Sequence, residues 1–96
     1  MKREEIIRRL EVHRADIDRF GVTSLHLFGS AARNESSESS DVDILVGYSS
    51  APSFSDFMKL RILLEDLLGT RVDLVTQGGL RERVRPYVER EAIRVA

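Results

Sequence analysis

Two short stretches constrain the fold of this chain more than any other feature: DVDILV, residues 41–46, and RVDLVT, residues 71–76. Each alternates aspartate with branched apolar residues, the period of a strand that buries one face and shows the other. Asp41 and Asp43 therefore project together, about 7 Å apart, while Val42, Ile44 and Val46 project the other way. The apolar face anchors the strand. The acidic face needs a cause, because like charges held side by side raise each other's pKa and oppose folding until a cation or water compensates them.

The rest of the chain supplies a setting for these strands. From Arg3 to Phe20, apolar Ile6, Leu10, Ile17 and Phe20 recur at helical spacing, and Gly21 stands where a helix would end. His13 shares that stripe and is read as a partly buried edge histidine, with no chemistry assigned to it. A strand is predicted from Val22 to Phe28, ended by Gly29-Ser30; a short helical turn and a serine-rich spacer, Ser36 to Ser40, follow. The Asp41–Tyr48 strand leads to a helix capped by Ser53 with Asp56, striped by Phe57, Leu60, Leu64 and Leu67, and stopped at Gly69. After the third strand, Arg71–Thr76, the segment Leu80–Glu91 has a helical pattern interrupted by Pro86, and the closing AIRVA can supply an edge strand.

The expected fold class is therefore α+β, a two-layer arrangement with a mixed sheet and helices packed on one side, formed by a single domain over residues 1–96. The connection between the first two strands is too short for a crossover helix, so they should be antiparallel neighbours. That brings Gly29-Ser30 to the end of the sheet where Asp41 begins the second strand.

If the 71–76 strand pairs beside 41–48, Asp73 can face Asp41 and Asp43 and complete a three-carboxylate cluster. Hard divalent cations suit such a cluster, since Mg²⁺ takes carboxylate oxygens together with waters and phosphates. Two ions about 3.5–4 Å apart would serve an in-line displacement at phosphorus. Gly29 would let backbone approach a phosphate, Ser30 would donate to its oxygens, and Arg33 could add charge one turn on. Taken singly, each residue has a plainer explanation. Asp41 could cap a turn, Asp43 could be a solubilising charge on an edge strand, Asp73 could pair with Arg71 or another surface arginine, and Arg33 could be surface. The combination favours a metal and phosphate site. An Asp-x-Asp site of the kind some glycosyltransferases use shares the spacing, but it belongs to larger domains without the Gly-Ser turn.

Composition narrows the partners. A net charge of −1, with Lys/Arg and Asp/Glu nearly balanced, gives no basic footprint for direct nucleic-acid binding. The absence of cysteine removes thiolate chemistry and disulfides and fits a reducing compartment. With no apolar run long enough for a signal peptide or a bilayer span, no membrane is expected and the cytoplasm is the expected location.

At these residues the sequence resembles the nucleotidyltransferase superfamily with a DNA polymerase beta-like palm, and within it the minimal nucleotidyltransferases (MNT) that act as antitoxins of HEPN toxins. The family pattern, Gly-Ser-x-Ala-Arg-Gly, a variable insert, Ser-Asp-x-Asp, an apolar run and a later strand aspartate, is matched by Gly29, Ser30, Ala32, Arg33, Ser40, Asp41, Asp43 and Asp73. Asn34 stands where the family has glycine, and asparagine tolerates the left-handed backbone better than most residues. The resemblance implies two Mg²⁺ ions on Asp41, Asp43 and Asp73, with ATP as donor. It implies nucleotide contacts from Gly29, Ser30, Arg33 and Ser40, and transfer of AMP to a tyrosine hydroxyl of a HEPN toxin in a hetero-oligomer. Two alternatives stay open: an antitoxin that only binds and masks its toxin, and a transferase subunit acting on a small-molecule acceptor.

Overall fold

In a computed structural model, residues 2–34, 41–79 and 85–95 are described, without the side chains at 87, 89 and 91. The whole serine spacer, Ser36 to Ser40, and residues 80–84 at the start of the helical pattern read over Leu80–Glu91 lie outside the described residues. The N-terminal amphipathic segment forms two helices, α1 (Arg3–Val12) and α2 (Arg14–Asp18), where the periodicity predicts one. The break falls at His13, whose backbone leaves the helical region at φ −105° and ψ 21°. Its physical reason is packing: α1 lies on a later helix and α2 on the first strand. One straight rod could not bury Ile6, Leu10 and Ile17 against both.

Three strands then alternate with helices. β1 (Val22–Phe28) runs into α3 (Gly29–Ala32), and β2 (Val42–Tyr48) into α4 (Phe54–Leu68). β3 (Val72–Thr76) is followed by a 3₁₀ turn at Gln77–Gly79, by α5 (Arg85–Glu91) and by the two-residue β4, Ile93–Arg94. The four-stranded sheet has the order β3-β2-β1-β4, with β1 antiparallel to both β2 and β4 and β2 parallel to β3. The mixed sheet and the antiparallel first pair agree with the pattern read from the sequence.

The register sorts the side chains. Leu25 pairs with Val46 and Leu27 with Ile44, while Val42 pairs with Val72 and Ile44 with Leu74, so these residues share one face. That face is buried with Ile6, Leu10 and Ile17 of the N-terminal helices and Leu60, Leu64 and Leu68 of α4 in one core. The innermost position at the end of the α4 stripe is Leu68, with Leu67 only partly buried. α4 is capped as its sequence suggests: the Asp56 amide donates to Ser53 Oγ at 3.1 Å, and Gly69 adopts φ +67° at the other end. Arg9 of α1 donates to the carbonyls of Leu67 and Leu68, holding the two helices together at that end. Leu64 is wholly buried, so Leu64→Ala is expected to cost about 2–5 kcal/mol of unfolding free energy, measurable by denaturant titration.

β3 is an edge strand, and one of its amides is already occupied. The Val72 N–H donates to Glu65 Oε2 of α4 at 3.0 Å, which blunts the edge against pairing with another strand.

Candidate active site

The face of the sheet opposite the helices carries the carboxylates. Asp43 pairs in register with Phe28 on β1 and with Asp73 on β3. Because directly opposed residues share a face and stand close, the parallel β2–β3 pairing places Asp43 and Asp73 side by side. A hydrogen bond between their side chains follows from that placement, and the Asp43 pKa rises to about 6. Burial is the largest cause, followed by the Asp73 charge, the shared hydrogen bond and the Asp41 charge, with Arg33 acting in the opposite sense.

Asp41 stands differently. It lies at the mouth of β2, exposed, with Arg71 Nε 3.4 Å from its Oδ1. The expected three-carboxylate cluster is thus a close pair with a third carboxylate turned toward an arginine. Among the described residues no group of three His, Cys, Asp or Glu side chains is arranged to hold a metal ion. Three carboxylates without a cation repel one another, and the Arg71 guanidinium offers Asp41 a partner. The sequence suggested Arg71 as a partner for Asp73; the parallel register, with Val42 opposite Val72, instead sets Arg71 beside Asp41, the residue just before β2.

Gly29-Ser30 stands directly over this pair. Gly29 has φ +65°, and a Cβ there would collide with the Asp43 carboxylate. Glycine is thus required twice, for its backbone conformation and for the space that Asp43 occupies. The sequence pointed to phosphate approach at this glycine but not to its contact with Asp43. Ser30 follows at the start of α3, where first-turn amides have no partner within the helix. Arg33, at the end of α3, is exposed yet close enough for its charge to lower the Asp43 pKa. Ser40 is outside the described residues.

The donor set fits a hard divalent cation. A half-buried carboxylate that partial burial and the neighbouring Asp73 keep protonated up to about pH 6 is the state that a cation relieves by taking the proton's place between the oxygens. A cavity of about 290 Å³ at the opposite ends of β2 and β3, lined by Val46, Tyr48, Pro52, Thr76 and Gln77 among others, has no cationic or carboxylate side chain. It is not suited to phosphate.

Comparison with known proteins agrees with this geometry. Residues 7–95 match the family described as Nucleotidyltransferase domain. The protein adenylyltransferase MntA of Thermococcus cleftensis is 44% identical over 93 residues, 96% of this chain and 94% of MntA. A solved minimal nucleotidyltransferase superposes with a TM-score of 0.85 at 41% identity, covering 97% of this chain and 95% of its own. The fold also matches the complex of a tri-AMPylated Shewanella oneidensis HEPN toxin with its MNT antitoxin, at a TM-score of 0.69 and 20% identity, over 100% of this chain and 72% of the other. Matched over nearly all its length and closely similar to MntA, the chain belongs to the nucleotidyltransferase domain family.

Proposed function

We propose that the protein transfers AMP from ATP to a tyrosine hydroxyl of a HEPN-type toxin, and thereby acts as its antitoxin in the cytoplasm. The observation that carries this reading is the in-register Asp43–Asp73 pair beneath Gly29-Ser30, in a chain 44% identical to a protein adenylyltransferase. Asp43 and Asp73, with Asp41 released from Arg71, would hold two Mg²⁺ ions. Bound there, the ions supply charge that steadies the triphosphate and makes an acceptor hydroxyl more acidic.

The chain's own residues do the remainder. Ser30 and the backbone at Gly29 hold the β- and γ-phosphates, and Arg33 adds positive charge beside them. The α-phosphorus is thereby presented to an acceptor oxygen arriving over the carboxylates. Attack forms the new P–O bond, the bond to the β-phosphate oxygen breaks, and pyrophosphate leaves. The hydroxyl proton passes to Asp73.

Incubation with α-³²P-labelled ATP, Mg²⁺ and a HEPN-type toxin that binds the protein is expected to label the toxin on tyrosine and to need the divalent ion. An unlabelled toxin, with a folded enzyme and demonstrable binding between the two, would leave masking by binding as the mode of neutralisation.

A further inference from the structure

The turn that carries Gly29-Ser30 is held from behind by two residues that have no place in the chemistry above. α3 is only four residues long, too short to persist by its own hydrogen bonds. Its far end is tied to the start of α1. The Arg3 guanidinium donates to the Ala32 carbonyl at 3.0 Å, satisfying an acceptor that the helix end leaves open. In return the Arg3 backbone N–H, an unpaired donor in the first turn of α1, donates to Asn34 Oδ1 at 3.0 Å. Asn34 has φ +58°, the one left-handed residue other than glycine among the described residues. At the position where the motif carries glycine, asparagine keeps the backbone conformation and adds an acceptor that glycine lacks.

We infer that Asn34 and Arg3 are positioning residues: their reciprocal clamp fixes α3 against α1 and so sets how well the Gly29-Ser30 turn holds the triphosphate. The clamp acts at the opposite end of α3 from the phosphate, and the two buried alanines between, Ala31 and Ala32, seat the helix on the core. Loosening the far end lets α3 pivot on that seat, and the near end moves with it. For its kinetic readout the inference rests on the proposed function; its structural readout does not.

The test uses the full chain with Asn34→Gly, which retains the left-handed backbone and loses the acceptor, and Asn34→Asp, which retains both. In the nucleotide-free protein, Asn34→Gly is expected to speed amide hydrogen exchange at residue 3 and at residues 33 and 34, whose amides donate to Gly29 and Ala31, by about fivefold, the worth of one hydrogen bond, with α4 unchanged. With ATP, Mg²⁺ and the partner, KM for ATP rises by about the same factor while kcat stays within about twofold. Asn34→Asp returns both readouts to within about twofold of the wild type. Unchanged local exchange in Asn34→Gly overturns the clamp. Faster exchange with an unaltered KM reduces it to a structural contact and overturns the positioning role. A wild-type protein that transfers no AMP defeats the proposed function instead, and the exchange comparison still decides whether the clamp exists.

Discussion

Asp43→Asn is expected to stabilise the metal-free protein while removing its activity. At neutral pH the wild-type side chain is an ionised carboxylate pressed against Asp73, in a partly buried place that disfavours charge. The isosteric amide keeps the shape and can donate to Asp73, so each kcal/mol of relief should raise the melting temperature by about 4–8 °C for a domain of this size. Transfer should fall at least about a hundredfold, since a side chain proposed to hold the ions has lost its charge.

The pH dependence follows with a definite sign. Folded Asp43 keeps its proton up to about 6, against 3.8 for an unperturbed carboxyl. Between those values the unfolded chain binds fewer protons than the folded one, so this group's contribution to stability falls as pH rises. The proton's support is fully present below the lower value and gone above the upper. Melting curves at pH 4, 5, 6 and 7 without divalent ions should show that decline in the wild type and a flatter profile in Asp43→Asn. Added Mg²⁺ should raise the wild-type melting temperature more at pH 7 than at pH 5. A variant less stable than the wild type at pH 7, or one with undiminished transfer, contradicts this account of the pair.

Gly29→Ala should be damaging for two separable reasons. Forcing a Cβ residue to hold φ +65° costs about 1–3 kcal/mol. The methyl group also displaces the Asp43 carboxylate, and a shift of that kind in a reacting group can lower the rate about a hundredfold. A double-mutant cycle with Asp43→Ala separates the causes. In the shortened background only the backbone strain remains, so Gly29→Ala should destabilise less there than in the wild type. Equal penalties in both backgrounds would mean that the close approach to Asp43 has no energetic consequence.

The periodicity of the sequence made the strands, the α4 caps and the in-register aspartates legible, because each rests on a local rule: alternation, Ser53 with Asp56, glycine at a helix end. What it missed depends on contacts between distant segments. The break at His13 comes from α1 and α2 meeting different neighbours. The Arg71 pairing with Asp41 depends on which strand lies beside which. The position of Gly29 over Asp43 arises where β1 and β2 meet, and nothing in GSAARN or DVDILV alone encodes the collision that a methyl group would suffer. Asn34 had a visible signal, its place at a glycine position of the motif, but its bond to Arg3 spans 31 residues.

The place of Asp73 on the outermost strand bears on what can reach it. No further strand walls off that flank among the described residues, so a reactant can come in sideways along the rim of the sheet as well as from above. Glu65, by occupying the neighbouring Val72 amide, discourages an incoming backbone from zipping onto the same rim. The geometry therefore favours a single protruding side chain on a large, blunt body over an extended peptide, which meets one rim amide already taken. A tyrosine presented from the surface of a folded protein has that shape.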